Sequence, residues 1–221
     1  CEGGNEHVLR DEVANGKESR HYRLENYLNR NCENYPTQEL GPIAKVLNIN
    51  RGNRMVSLVS MASKSAGLNE YIRREKPESE LVNASFAQGD VVTTIIKCAH
   101  GETITLTLDT TLPRGYSRGF RVQGTKGMYM EDNKSIFIDG EHNKFDFTWK
   151  EQWDNVEKYR EQYDHPIWKK YLSEGVKKGH DGMDWLVFSA FFDAVRNKTK
   201  VPIDVYDMAS WMAVSVLSEE S

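Results

Sequence analysis

Strict alternation of threonine with aliphatic residues over residues 103–108 is the feature that most constrains the fold. The segment reads Thr-Ile-Thr-Leu-Thr-Leu, and a period of two places its aliphatic side chains on one face of a β-strand. Residues 91–96, Val-Val-Thr-Thr-Ile-Ile, precede it across a short connector that contains His100 and Gly101. Since β-branched residues favour extended structure, the two segments predict a hairpin with one buried face.

Further short strands are predicted on both sides of this hairpin, at residues 55–60, 119–122, 127–130, 135–138 and 144–148. Turn-forming sequences lie at residues 124–127 and 132–134. Consecutive short strands joined by tight turns favour an antiparallel meander over parallel crossovers.

Helical periodicity flanks the strands. Apolar residues spaced i, i+3, i+4, i+7 predict an amphipathic helix over residues 38–48, with Pro42 near its start or at a kink. An apolar stripe from Met183 to Ala194 predicts a helix that ends at Asn197, and residues 154–178 are predicted as exposed helix and loop.

Asp204 and Asp207 have the spacing of an N-cap and an acidic first turn, which predicts a last helix through Met208, Met212 and Val216. We find no internal repeat and no interdomain linker. Residues 1–221 are therefore predicted to form a single α+β domain, an open and mostly antiparallel sheet with helices packed on one face.

Composition excludes several classes of protein. Hydrophobic residues make up 38% of the 221 residues, so the chain is too apolar for disorder. No apolar run is long enough to cross a bilayer. Twenty-nine basic and 33 acidic residues give a net charge of −4, which is not the basic excess typical of nucleic-acid binders.

The three cysteines, Cys1, Cys32 and Cys98, have no spacing typical of zinc sites. We expect free thiols and no metal site. A cytoplasmic location is favoured, with a periplasmic protein or a lipoprotein that begins at Cys1 as alternatives. The start at Cys1 and the missing stop signal of the last helix indicate a chain truncated at both ends.

Known catalytic and nucleotide motifs are absent: there is no GxGxxG, no GxxxxGK[ST], no GxSxG and no HExxH. Tyr35 and Gln38 stand at a predicted helix entrance, and Tyr116 lies with Arg114 and Arg118 in a loop rich in glycine and proline. A phenol can bind sugar hydroxyls or exchange protons. From the pattern alone a structural role is the more common one for such residues, and a cleft for a polar ligand is the alternative.

Four stretches, residues 1–10, 35–44, 112–127 and 179–184, resemble in order the C-terminal domain of Gfo/Idh/MocA-type oxidoreductases. Within that family the resemblance is greatest to the NAD-dependent glycosidases, the α-N-acetylgalactosaminidases. It implies an open sheet backed by helices. It also implies an N-terminal Rossmann domain, absent from these 221 residues, that would hold NAD. The cofactor-binding residues of the protein are therefore unknown.

The mechanism implied by the resemblance oxidises the C3 hydroxyl of the sugar, removes the C2 proton, eliminates the glycosidic oxygen and then adds water. The resemblance places Tyr35, Tyr116 and His7 as catalytic residues. It places a second set of polar residues as substrate-binding: Gln38, Asn5, Arg118, His180 and Asp184. His180 and Asp184 are spaced i, i+4 and would face one way on a helix.

Two positions depart from the pattern of the glycosidase branch. Gln38 stands where the motif Tyr-Pro-Thr-His has its histidine, and Asn5 stands where a tyrosine is expected. An amide binds sugar hydroxyls but does not take up a proton near neutral pH. A sugar or cyclitol dehydrogenase or epimerase therefore stays an alternative.

A third alternative is a non-catalytic module that forms oligomers through the exposed face of its sheet. In every case we expect the isolated chain to be inactive, because it lacks a cofactor site. The expected partners are a sugar or glycoside, the Rossmann domain and further copies of the chain. We expect no nucleic acid and no membrane span.

Overall fold

One open sheet of seven strands organises the computed structural model, which describes residues 1–18, 21–175 and 179–221. The spatial order is β2-β3-β4-β1-β5-β6-β7. Only the pairing of β1 with β4 is parallel; the other neighbours are antiparallel. In chain order the strands are β1 (Glu2–Glu6), β2 (Met55–Ala62), β3 (Val91–Cys98), β4 (Thr103–Asp109), β5 (Arg121–Gln123), β6 (Gly127–Met130) and β7 (Ser135–Ile138).

Most of the predicted strands are confirmed, including the β3–β4 hairpin and, at their predicted bounds, β6 and β7. The prediction of a strand over residues 144–148 is wrong, since this segment forms turns. Asp146 causes the difference: its Oδ1 accepts hydrogen bonds from the backbone N–H of Thr148 and of Trp149, both at 3.2 Å. Such an aspartate turn competes with extended structure.

Eight α-helices complete the described part of the chain. They are α1 (Arg10–Ala14), α2 (His21–Asn29), α3 (Pro36–Val46), α4 (Gly67–Glu75), α5 (Glu157–Tyr163), α6 (Pro166–Ser173), α7 (Met183–Asn197) and α8 (Val205–Glu219). The helices predicted over residues 38–48 and 183–197 and after Asp204 are confirmed. Asp204 and Asp207 form a reciprocal capping box on α8.

The main core lies between one face of the sheet and helices α3 and α8. Ile104 and Leu106 of β4 are fully buried there against Leu40 and Ile43 of α3 and Trp211 of α8. The opposite face of the sheet is open and carries exposed Val59, Met61 and Ile95 (relative exposure 62%, 79% and 46%). The α+β sheet with helices on one face is therefore as predicted.

A second, smaller core joins helices α1, α2 and α4, with Val13, Tyr27 and Ile72 buried at its centre. The apolar stripe of α7 behaves differently: Ala194 is its only buried residue among those described. The predicted exposed region contains α5 and α6, while residues 176–178 lie outside the described residues.

None of the described helices is long and apolar enough to cross a membrane. Cys1, Cys32 and Cys98 are free thiols.

Candidate active site

The C-terminal ends of β1 and β4 create the site. Because these neighbouring strands are parallel, both end at the same edge of the sheet. The loop that follows β4 folds back on β1, where the backbone N–H of Ser117 donates to the carbonyl of Glu6 at 2.9 Å. Arg114 fixes the loop by ion pairs with Glu6 and Asp109, both at 2.7 Å. This loop carries Tyr116 to the end of β1.

Tyr116, His7 and Gln38 meet at this edge, although each comes from a different stretch of the sequence. The ring centroids of Tyr116 and His7 are 5.9 Å apart. The side-chain amide of Gln38, in the first turn of α3, lies 3.4 Å from the Tyr116 hydroxyl oxygen. The structure thus groups three of the predicted site residues, with a phenol between an imidazole and an amide.

The environment of His7 favours its neutral form. Burial is the main cause that lowers the pKa of its imidazole, followed by the nearby Arg23 guanidinium, while the Glu12 carboxylate opposes both. The His7 Nδ1 is buried and has no hydrogen-bond partner among the described residues. A neutral imidazole has one nitrogen able to accept a proton, so His7 has the charge state of a general base.

Tyr35 is connected to His7 through Arg23. Tyr35 is the N-cap residue of α3, and the Arg23 guanidinium carbon lies 5.6 Å from its ring centroid. The Arg23 Nε also pairs with the Glu12 carboxylate at 2.8 Å. The predicted tyrosine therefore lies beside a cation that also acts on His7.

A cavity of about 240 Å³ adjoins the Tyr116 cluster. Gln38, Glu39 and Pro42 line it from α3. Its remaining lining residues come from the strands and the loop beyond β4: Arg118, Phe120, Tyr129 and Glu131.

The lining combines aromatic and polar groups. The rings of Phe120 and Tyr129 lie 6.1 Å apart, and Arg118 Nε donates to the Glu131 carboxylate at 3.0 Å. Aromatic faces with a few fixed polar groups are typical of sites for small hydroxylated ligands.

Pro42 lies in the interior of α3 rather than near its start, which corrects part of the prediction. A proline has no backbone N–H. The carbonyl of Gln38 therefore receives no helical hydrogen bond from position 42, and both residues line the cavity. The carbonyl oxygen of Gln38 can therefore accept a hydrogen bond from another donor.

Asn5 lies two residues before His7 and is fully buried. Neither atom of its side-chain amide has a hydrogen-bond partner among the described residues. Buried amides are normally paired, so Asn5 has capacity for a ligand or a bridging water.

His180 and Asp184 form a separate pair. The His180 Nδ1 lies 2.9 Å from Asp184 Oδ2, and this hydrogen bond raises the pKa of the imidazole. Both side chains are exposed, and among the described residues each forms side-chain hydrogen bonds only with the other. The structure does not join them to the Tyr116 cluster. The described part of the chain holds no group of three side chains able to bind a metal ion.

Sequence reasoning missed Arg23, Glu33 and Glu39. The carboxyl groups of Glu33 and Glu39 are buried, and these residues have 0% and 2% relative exposure. A signal for Glu39 was available, because it precedes Ile43 by four residues and so lies on the apolar face of the predicted helix. A charged residue on such a face is uncommon without a partner or a function.

The fold and the site define a class: an α+β domain with a candidate site for a polar ligand at the edge of an open sheet. The family model "Glycosyl hydrolase 109, C-terminal domain" matches residues 3–221. The chain therefore belongs to the glycosyl hydrolase 109 family, as its C-terminal domain.

Individual relatives agree with this assignment. A "Glycosyl hydrolase family 109 protein" of Stenotrophomonas maltophilia is 43% identical over 202 residues, covering 90% of this chain and 43% of the relative. An "Alpha-N-acetylgalactosaminidase" of Tannerella forsythia is 41% identical over 201 residues, covering 90% of this chain and 42% of the relative. The chain thus spans less than half the length of the relatives it matches.

Proposed function

We propose that this chain is the substrate-binding domain of an NAD-dependent glycosidase that hydrolyses α-N-acetylgalactosaminides. The observation that carries the proposal is the convergence of His7, Tyr116 and Gln38 beside the cavity. Family membership and the activity in the name of the Tannerella forsythia relative support it.

The cofactor would be held mainly outside these residues. The sequence has no glycine-rich phosphate loop, so we assign NAD to an N-terminal Rossmann domain of the longer protein. The end of β1 fits a neighbouring ligand, since the Asn5 amide and His7 Nδ1 have no partner among the described residues. Bound NAD would supply reversible hydride transfer at the sugar C3.

The residues of this chain would move protons and hold the sugar. Neutral His7 would accept the proton of a sugar hydroxyl, and Tyr116 would donate one to the departing glycosidic oxygen. Gln38 and the Arg118–Glu131 pair would bind hydroxyl groups in the cavity. Tyr35 stays a third catalytic candidate, because the Arg23 guanidinium lies beside its ring. His180 and Asp184 could contact substrate only through a part of the protein that brings them to the site.

A sugar or cyclitol dehydrogenase or epimerase is the second candidate. Gln38 favours it, because an amide cannot exchange the proton that an imidazole would exchange at this position. Such an enzyme would reduce NAD with a free sugar and would not need to expel a leaving group.

The open face of the sheet supports assembly into a homo-oligomer. Val59 and Ile95 are directly opposed on β2 and β3 and are both exposed. An apolar sheet face of this kind is suited to a two-fold interface with a second copy. This contact is compatible with either enzyme and would also serve a non-catalytic module.

The two enzymatic candidates are separated with the full-length protein that contains this domain. We expect an aryl α-N-acetylgalactosaminide to release its aryl group without net formation of NADH. Accumulation of NADH on free sugars, with no aryl release, would instead identify a dehydrogenase. Residues 1–221 alone are the control and should show no turnover.

A further inference from the structure

Two buried carboxyl groups, those of Glu33 and Glu39, lie at the entrance of α3. Glu33 has 0% and Glu39 2% relative exposure. By strict hydrogen-bond geometry, neither Glu39 oxygen nor Glu33 Oε2 has a partner among the described residues. The two carboxyl groups nevertheless lie within hydrogen-bonding reach of each other. Glu33 Oε1 accepts from the backbone N–H of Tyr35 at 3.3 Å. Unpaired carboxyl oxygens in an interior are costly, which points to a function.

The fold holds the two groups together. Gly3 of β1 allows α3 to pack closely, since a Cβ at Gly3 would lie 3.1 Å from the carbonyl oxygen of Glu39. Helix α8 fixes the backbone of Glu33: its N–H donates to Ser218 Oγ at 2.9 Å, and its carbonyl accepts from Ser215 Oγ at 2.6 Å. Glu33 is therefore anchored by its main chain while its carboxyl faces Glu39.

No side-chain cation stabilises a negative charge on Glu39 in the described surroundings. The charged groups that act on it are the carboxylates of Glu33, from the segment before α3, and of Glu6, from β1. The backbone N–H of Thr107 in β4 offers the one opposing contact. Burial is the main cause that raises the pKa of both residues, and it brings the pKa of Glu33 to about 7.

Glu39 also belongs to the cavity. It lines the space of about 240 Å³ beside Gln38, whose amide touches Tyr116. Gln38 cannot take up a proton, whereas Glu39 is the next residue and has two carboxyl oxygens without aligned donors. The residue next to this amide therefore has a buried carboxyl group that can exchange a proton, which the amide cannot do.

We propose that Glu39 is the base that removes the C2 proton of the sugar in this chain, and that Glu33 is its positioning residue. The inference rests on the proposed glycosidase function. After C3 has been oxidised by the nicotinamide cofactor, the C2–H electron pair becomes the C1–C2 double bond and the proton moves to a Glu39 oxygen. The C1–O bond breaks, and the departing oxygen takes its proton from Tyr116. Water then adds at C1 and gives a proton to the Tyr116 phenolate, while the Glu39 carboxyl group, after exchange with solvent, delivers a proton to C2. C3 would take its hydride back from the reduced cofactor and become a hydroxyl-bearing carbon again.

Exchange of the C2 hydrogen in deuterated water tests the assignment in the full-length enzyme with its cofactor bound. We expect Glu39→Gln to slow C2 exchange by at least about 100-fold, the usual contribution of a general base. Glu25→Gln, on the exposed side of α2, is the matched control and should exchange at the original rate. Adding Gln38→His to Glu39→Gln should restore exchange, because an imidazole then stands beside the cavity.

Glu33→Gln is a second variant, in which the proposed base Glu39 is retained. Removing the Glu33 carboxylate should shift the pH dependence of exchange to lower pH, because it removes one cause of the raised Glu39 pKa. Independently of turnover, infrared spectra recorded as a function of pH should show a protonated carboxyl band that Glu39→Gln weakens. This band should be lost as the pH is raised, because only the ionised carboxylate can accept the C2 proton.

The possible outcomes separate this inference from the proposed function. If Glu39→Gln exchanges the C2 hydrogen at a rate within about three-fold of the original enzyme, the role of Glu39 is wrong. The proposed glycosidase function would not be affected by that result. Failure of Gln38→His to rescue, together with an unchanged infrared band, would also overturn it. Absence of C2 exchange in the unsubstituted enzyme would overturn both.

Discussion

The side-chain amide of Gln38 lies 3.4 Å from the hydroxyl of Tyr116, across a sequence separation of 78 residues. One residue stands in the first turn of α3 and the other in the loop after β4. The contact exists because the parallel strands β1 and β4 end at the same edge, next to the helix that packs on them. The site therefore depends on loop positioning as much as on the residues themselves.

Tyr116→Phe removes the hydroxyl while keeping the ring against His7. We expect the turnover number of the full-length enzyme to fall by about 100-fold or more, since a proton donor is lost. Because Tyr116 is 66% exposed, the unfolding free energy should be almost unchanged. Steady-state kinetics are the measurement, with Tyr163→Phe on α5 as the control. Full activity of Tyr116→Phe would remove this residue from the mechanism.

Arg114→Met breaks the bridge that holds the Tyr116 loop. Glu6 and Asp109 would then face each other without their shared cation, and their side chains are only 15% and 13% exposed. We expect a loss of about 1–3 kcal/mol in the free energy of unfolding, measured with urea. Arg74→Met is the control, because Arg74 is half exposed and pairs with its neighbour Glu75. Equal stability of the two variants would show that the bridge is dispensable.

Glu33→Gln should stabilise the chain in a pH-dependent way. The folded pKa of Glu33 is raised from 4.5 to about 7 by burial. A raised folded pKa means that stability is highest below the unfolded pKa and falls as the pH rises through the folded pKa. We therefore expect a gain of about 2–3 kcal/mol near pH 8 and almost none near pH 4. Urea unfolding at the two pH values is the measurement, and a gain of equal size at both would show that ionisation of a buried carboxyl is not the cause.

Ile95→Lys places a charge on the open face of the sheet. If this face joins two copies, the dissociation constant of the oligomer should rise at least about ten-fold, because a buried unpaired charge is costly. Analytical ultracentrifugation is the measurement. Val205→Lys on α8, where Val205 is 72% exposed, is the control. A protein that is monomeric before substitution would contradict the proposed interface.

The antiparallel part of the fold was predictable because its strands alternate and its turns carry glycine, asparagine and aspartate. The central strand β1 was not, since Glu-Gly-Gly-Asn-Glu is poor in the residues that favour strands. Its glycines serve packing instead: Gly3 admits the approach of Glu39.

The candidate site was predictable only in part. His7, Tyr116 and Gln38 were found through motifs, and their convergence needs the parallel pairing of β1 with β4. Arg23 and Glu33 became visible only when tertiary contacts placed them beside His7 and Glu39. Local sequence patterns do not contain such long-range electrostatic relationships.

The most direct test of the glycosidase proposal uses the full-length protein with NAD bound and an aryl α-N-acetylgalactosaminide in deuterated water. We expect released sugar that carries deuterium at C2, because oxidation at C3 and elimination expose that carbon to proton exchange. Release of sugar without deuterium at C2 would contradict the oxidation and elimination route. No release, together with NADH formation from free sugars, would identify a dehydrogenase.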